Sequence, residues 1–249
     1  MNIIFLHIPK TAGQSIHHEL QRLYSDKIAP VRINSDLDKY SNNELEKFNV
    51  FSGHLDWNRL KFLPNPFTFT ILRDPIERIC SFYIYLEEKA KRTSKENLAL
   101  PQNTGLKLIS TLSIDEYFCK QDLPQRKFID NHFNNFYSYF FASGQYNTPE
   151  QYKKIIPNSL IVDIANKNLS KISLTGNINN LNSFTIAYRK LTGEISANFN
   201  KVNTNSLNSD IKISRLEILK EKYNPTAETL EKLESHCLMD NRLSPFKIN

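Results

Sequence analysis

Cysteine is scarce in this chain of 249 residues. The three cysteines, Cys80, Cys119 and Cys237, are far apart and include no CxxC pair that could hold a metal or a redox centre. Their number is odd, and their spacing matches no disulfide or metal-binding pattern. We therefore expect three reduced thiols in the core.

Long apolar runs are also missing. No stretch of about eighteen apolar residues occurs, as a membrane-spanning helix would require. The first apolar stretch, residues 3–6, is too short for a signal-peptide core and has no cleavage site after it. We expect a soluble, cytoplasmic protein without a transmembrane segment.

Internal repeats and linkers rich in Pro, Gly or Ser are absent as well. With 40% apolar and 23% charged residues, the chain can bury a large core. We therefore expect a single domain over residues 1–249. The polar pattern of residues 93–111 predicts an irregular insertion in it.

The net charge of +6 favours an anionic ligand. Nucleic acid is one candidate, but the basic residues are spread along the chain and form no recognisable nucleic-acid-binding module. We expect no nucleic-acid partner.

Short apolar runs alternate with helical patterns along the chain. The runs at residues 2–8, 50–52 and 67–72 are predicted strands, and residues 160–162 and 172–174 are two later candidates. After the third run, Asp74, Pro75 and Glu77 form the signature of a helix start. This alternation predicts an α/β fold with a mainly parallel sheet.

Three polar features follow directly after three of these strands. They are the loop at Lys10, the pair Gly53-His54, and Arg73. Because the carboxyl ends of parallel strands share one edge of a sheet, and ligands bind in the crevice outside that edge, we expect the three to lie together.

The first loop has the composition of a phosphate-binding turn. It leads into a helix N-terminus, and the small residues Ala12 and Gly13 let the backbone approach an anion closely. Lys10 adds a charge, and Thr11 and Ser15 add hydroxyl groups. The alternative is an ordinary strand-to-helix turn with a solvated lysine. The nucleotide-binding pattern GxxxxGK[ST] is absent.

The other two features carry an arginine and a histidine. A guanidinium at a strand end suits bidentate phosphate binding, and Ser81, two turns into the next helix, is either a second donor or a solvent-facing serine. His54 is a candidate general base, although a lone histidine is also common in structural roles. The remaining histidines are assigned to structure: His7, His17, His18, His132 and His236.

Two segments resemble one enzyme family. Residues 5–15, FLHIPKTAGQS, look like the 5′-phosphosulfate loop of sulfotransferases that use 3′-phosphoadenosine-5′-phosphosulfate (PAPS), and residues 71–83, ILRDPIERICSFY, look like their 3′-phosphate motif. The most similar subgroup is the uronyl and heparan-sulfate 2-O-sulfotransferases. Their catalytic His-Gly-His is here Ser52-Gly53-His54, so this chain departs from the first histidine.

The resemblance implies a P-loop-like, three-layer α/β/α fold and transfer of a sulfonate from PAPS to a carbohydrate or glycan hydroxyl, without a metal. It implies that His54 is the base and that Lys10 stabilises the leaving phosphate. The residues that it implies bind the donor are Lys10, Thr11, Ala12, Gly13, Gln14, Ser15, Arg73, Ser81, Lys201 and Thr204.

The aromatic residues between positions 133 and 146 admit two interpretations. They line an acceptor groove by stacking on sugar rings, or they form a buried helix face, which their spacing also allows. They are Phe133, Phe136, Tyr137, Tyr139, Phe140, Phe141 and Tyr146.

Two other functions are open at this point. A nucleotide-dependent kinase would share the phosphate loop but needs Mg²⁺ ligands and a Walker-type lysine, neither of which the sequence provides. A non-catalytic nucleotide- or glycan-binding protein would retain the loop without turnover.

Overall fold

A central sheet of parallel strands organises the molecule. The computed structural model describes residues 1–123, 126–199 and 214–246. Within them, the sheet contains β1 (Ile3–Leu6), β2 (Val50–Gly53), β3 (Phe67–Leu72) and β4 (Leu174–Asn177), in the order β2-β1-β3-β4. All three pairings are parallel. The predicted strands at residues 2–8, 50–52 and 67–72 are confirmed, within a few residues at their ends.

Helices surround this sheet. The described α-helices are α1 (Gly13–Tyr24), α2 (Asn34–Leu37), α3 (Asn42–Leu45), α4 (Pro75–Arg92), α5 (Lys95–Leu98), α6 (Thr104–Thr111), α7 (Ile114–Cys119), α8 (Arg126–His132), α9 (Phe136–Ser143), α10 (Glu150–Ile155), α11 (Asn158–Leu169), α12 (Leu181–Thr192), α13 (Arg215–Tyr223) and α14 (Ala227–Ser235). None of these helices combines the length and the apolar character that crossing a membrane requires.

Both faces of the sheet are covered. Neighbouring residues of a strand point to opposite faces, so Phe5 packs in one apolar cluster with α1 and Phe184 of α12, whereas Ile4 packs in another with α9 and Ile161 of α11. A third cluster joins α4 to α6, α7, α8, α13 and α14. The expected α/β fold, with a parallel sheet between helical layers, is confirmed.

Two local predictions are wrong. Residues 160–162 belong to α11, and residues 93–111, expected to be irregular, contain α5, a 3₁₀ turn and α6. In α6, Leu106 and Ile109 are three positions apart and both buried, so they form a small helical face that packs into the third cluster. Ser94 caps α5 by accepting a hydrogen bond from the amide of Asn97.

Candidate functional site

The turn between β1 and α1 has an unusual backbone. Lys10 (φ 71°) and Ala12 (φ 64°) both adopt the left-handed conformation, on either side of Thr11. Backbone φ angles that alternate in sign turn successive N–H groups toward one concave site, and such a site favours binding of an anion. The Thr11 hydroxyl is not directed to a ligand, because it donates to the carbonyl of Ile8 at 2.9 Å.

Gly13 is required where α1 begins. A Cβ atom at this position would lie 1.7 Å from the His7 ring. Because Gly13 has no side chain, the ring of His7, the residue that follows β1, can lie against the first turn of α1. The first amides of this helix, at Gly13 and Gln14, have no acceptor within the helix. Ser15, the next residue, is buried in the same turn.

Lys10 lies among cations. Its ammonium group is 4.1 Å from the centre of the Tyr85 ring on α4. Burial, followed by the charges of Arg73 and Arg215, lowers the pKa of Lys10 to about 8, although Glu88 opposes this. Among the described residues, no carboxylate forms an ion pair with Lys10. Within the described part of the chain, the charge of Lys10 is therefore opposed by neighbouring cations and has no ion-pair partner.

Arg73 is held at the end of β3 by its own backbone and by its side chain. The Tyr137 hydroxyl donates to the Arg73 carbonyl at 2.9 Å, and the guanidinium lies 3.3 Å from the Glu77 carboxylate. Helix α4 begins as predicted: Pro75 is its first residue, and the Asp74 carboxylate accepts from the Glu77 amide at 3.1 Å.

One face of α4 connects the two cations. Glu77, Ser81 and Tyr85 are spaced four residues apart and therefore share a face of the helix. Arg73 contacts Glu77 at one end of this face, and Lys10 contacts Tyr85 at the other. Ser81 lies between them and is buried.

Glu77 also brings in a third cation, which the sequence analysis missed. Its carboxylate accepts from the Ser214 hydroxyl at 2.6 Å and from the backbone amides of Arg215 and Leu216 at 2.8 and 3.2 Å. This anchors the start of α13 beside Arg73. Arg215 follows no strand and belongs to no motif, so only a helix cap at Ser214 marks this position in the sequence.

His54 lies at the end of β2, on the opposite side of β1 from Arg73. Its Nδ1 atom is 2.8 Å from the His7 carbonyl oxygen and 2.7 Å from the Tyr146 hydroxyl, and its ring stacks on the His7 ring with centroids 4.1 Å apart. Burial lowers the pKa of His54, and Arg32 lowers it further, against the hydrogen bond to His7. The imidazole is therefore neutral at pH 7 and able to accept a proton.

Ser52 belongs to a separate buried network. Its hydroxyl lies 2.9 Å from Nδ1 of His17, and the Arg32 guanidinium donates to the Ser52 carbonyl at 2.7 Å. Burial, followed by Arg32, lowers the pKa of His17 to about 4. Two histidines assigned to structure, His7 and His17, thus adjoin the site.

The aromatic segment does not form an acceptor groove, so that interpretation is wrong. Its residues are buried apart from Tyr139, because α9 and Tyr146 pack in the cluster with the sheet and α11, and Phe133 packs in the third cluster. Within this aromatic segment, the Tyr137 hydroxyl contacts Arg73 and the Tyr146 hydroxyl contacts His54. Lys201 and Thr204 lie outside the described residues. In the part of the chain that the structure describes, no group of three His, Cys, Asp or Glu side chains is arranged to hold a metal ion.

Comparison with known proteins identifies the family of this chain. Residues 1–233 match the profile described as "Sulfotransferase family". A protein-tyrosine sulfotransferase of Arabidopsis thaliana is 34% identical over 93 residues, which are 36% of this chain and only 18% of that protein. A sulfotransferase crystal structure from Alicyclobacillus acidocaldarius aligns over 99% of this chain and 98% of its own, at 11% identity and a TM-score of 0.37. The match over residues 1–233 shows that the chain belongs to the sulfotransferase family.

Proposed function

We propose that this protein transfers the sulfonate group of PAPS to a hydroxyl of a carbohydrate acceptor. The observation that carries the proposal is the pairing of two features along one sheet edge. The loop after β1 carries Lys10, which has no ion-pair partner among the described residues, and a neutral histidine follows the neighbouring strand β2. Sulfonate transfer needs both, since it develops negative charge on a leaving phosphate and releases a proton from the attacking hydroxyl.

The described residues suit a donor with two anionic ends. Lys10 and the first amides of α1 would hold the 5′-phosphosulfate, and Arg73, Ser81 and Arg215 would hold the 3′-phosphate. The support is chemical: Lys10 has no carboxylate partner among the described residues, and its pKa is lowered toward 8 by burial and by the two arginines. A bound polyanion would attract Lys10 and the two arginines and so offset the repulsion between them.

In the proposed reaction, the acceptor oxygen forms a bond to the sulfur while the bond from sulfur to the 5′-phosphate oxygen breaks. The electron pair of that bond goes to the phosphate oxygen, and Lys10 stabilises the negative charge that develops there. The hydroxyl proton goes to His54. No step requires a metal ion.

A tyrosine side chain is the second candidate acceptor. The observation in its favour is the similarity to the Arabidopsis protein-tyrosine sulfotransferase, which covers 36% of this chain. A phenol has a pKa near 10, which makes it an easier hydroxyl to deprotonate than that of a sugar. The kinase alternative has no support, because the chain belongs to the sulfotransferase family.

Transfer of labelled sulfate tests the proposal. The purified protein is incubated with ³⁵S-labelled PAPS and a panel of uronic-acid polymers, lipid-linked sugars and tyrosine peptides. Label on a sugar hydroxyl supports the carbohydrate acceptor, and label on tyrosine alone replaces it with the second candidate. If no acceptor is labelled although calorimetry detects PAPS binding, the protein is a non-catalytic binder and the proposal is wrong.

Donor affinity should fall as the pH rises through the pKa of Lys10. The free protein's Lys10 has a pKa of about 8, and a bound polyanion raises it, so the ammonium's contribution is present below pH 8 and is lost above it. We expect affinity for 3′-phosphoadenosine 5′-phosphate to decrease about tenfold between pH 7 and pH 9. The Lys10→Arg variant, charged throughout, should show no such decrease by calorimetry. Equal pH dependence in both proteins would contradict this assignment.

Arg215 should contribute to donor binding. We expect Arg215→Ala to bind 3′-phosphoadenosine 5′-phosphate about tenfold or more weakly, as for loss of a hydrogen bond between charged groups. Affinity for AMP, which lacks the 3′-phosphate, should hardly change. Arg92→Ala, at an exposed arginine on α4, is the matched control. An unaltered dissociation constant in Arg215→Ala would remove this residue from the donor site.

A further inference from the structure

Tyr146, three residues after the end of α9, contacts His54 through its hydroxyl group. Its oxygen lies 2.7 Å from Nδ1 of His54, and the hydroxyl also donates to the His7 carbonyl oxygen. The same carbonyl lies 2.8 Å from Nδ1. The three groups form a closed triangle on the side of the imidazole away from Nε2.

This triangle determines which ring nitrogen carries the proton. A carbonyl oxygen can only accept a hydrogen bond, so Nδ1 facing His7 must be protonated. The hydrogen of the Tyr146 hydroxyl is directed to the same carbonyl, so its oxygen also presents a lone pair to Nδ1. Since both neighbours of Nδ1 are acceptors, the proton stays there, and Nε2 keeps the lone pair that a general base needs.

The fold holds Tyr146 rigidly in this position. Helix α9 ends at Ser143, and Gly144 caps it with a φ of 71° that turns the chain away from the helix axis. The Tyr146 amide then donates to the Asp56 carboxylate at 2.8 Å, two residues beyond His54. The tyrosine ring packs edge-on against Phe136 and Phe140, with centroids 5.5 and 5.1 Å away.

We infer that Tyr146 is a positioning residue that holds His54 in the Nδ1-protonated tautomer, with Nε2 available to the acceptor hydroxyl. The inference rests on the proposed function only in assigning His54 as the base. The other titratable and charged groups around His54 are the stacked His7 ring, Arg32 and His132, with Asp56 behind Tyr146. Among the described residues, the hydrogen-bond partners of Nδ1 of His54 are the Tyr146 oxygen and the His7 carbonyl oxygen, whereas the Asp56 carboxylate accepts from the Tyr146 amide.

The tautomer can be observed without any substrate. In protein labelled with ¹⁵N-histidine, the ring nitrogen with the lone pair resonates far downfield of the protonated one, and the His54 signals are identified by their loss in His54→Gln. We expect the lone pair on Nε2 at pH 7.5. A protonated Nε2 in the wild-type protein would overturn the inference, and this result does not depend on whether Tyr146 variants fold.

Kinetics test the contribution of the hydroxyl itself. Tyr146→Phe should reduce kcat about tenfold with acceptor KM and donor affinity unchanged, as for loss of one hydrogen bond that orients the base. Because the tyrosine oxygen also stabilises the protonated imidazole, the acid limb of the kcat profile should move to lower pH. Tyr139→Phe removes the same atom from a half-buried tyrosine of α9 and should change neither quantity.

The outcomes separate the two proposals. If no acceptor is sulfated but Nε2 carries the lone pair, the proposed function fails and the tautomer assignment stands. If sulfation occurs and Tyr146→Phe matches Tyr139→Phe in both kcat and pH profile, the positioning role is wrong while the function stands.

Discussion

Replacing His54 by alanine should reduce kcat by about 10²–10⁴-fold, the range for removing a positioned general base. Donor binding should remain, because the described hydrogen bonds and ring contacts of the His54 side chain are with His7 and Tyr146, and none is with Lys10 or Arg73. Initial rates at saturating PAPS measure kcat, and calorimetry measures donor affinity. The matched control is His18→Ala, at an exposed histidine of α1.

The pH profile of the wild-type protein adds a second measurement. From the ordinary histidine value, the sequence predicts an activity decline below about pH 6.5. Since burial and Arg32 lower the pKa of His54, the decline should begin at a lower pH. It should occur as the pH falls, because protonation removes the base. A rate that does not vary between pH 4 and pH 8, or a normal kcat in His54→Ala, would exclude His54 as the base.

Replacing Lys10 by alanine should reduce kcat by about 10²–10³-fold, as for loss of one group that stabilises charge in the transition state. The fold should persist, because the ammonium contacts the face of Tyr85 and forms no ion pair among the described residues. Steady-state rates at saturating donor test the first part, and the thermal unfolding midpoint tests the second.

A lysine elsewhere on the chain provides the control for this loss. Lys107 is exposed on α6, so Lys107→Ala removes the same charge without touching the site and should leave kcat unchanged. A turnover number of Lys10→Ala equal to that of Lys107→Ala would exclude Lys10 from the chemistry. A reduced kcat together with a lowered unfolding midpoint would instead attribute the loss to the left-handed turn.

Local sequence signals were sufficient where one segment decides its own structure. The start of α4 follows from Asp74, Pro75 and Glu77, because capping involves only neighbouring residues. The run at residues 160–162 was misassigned because a short apolar stretch suits a buried strand or a buried helix equally well. Its helical state is decided by packing: Ile161 and Ala165, four residues apart, face α9.

The candidate site shows the same division. Lys10, His54 and Arg73 could be selected from the sequence because each follows a recognisable strand, and parallel strands bring their carboxyl ends to one edge. Arg215 and Tyr146 follow no such rule. One is placed by the Glu77 carboxylate, and the other by the turn at Gly144 and the Asp56 carboxylate.

The amino-acid sequence by itself determined the first three strands, the start of α4 and the polar residues that follow each of these strands, because these depend on spacing and on near neighbours. The tertiary structure alone decided that Arg215 joins the two other cations, that the aromatic segment is core, and which nitrogen of His54 carries the proton. The contacts that place Arg215 and orient His54 join groups about 90 to 140 positions apart in the chain. Such contacts exist only after the sheet and its helices have packed, so no local pattern encodes them.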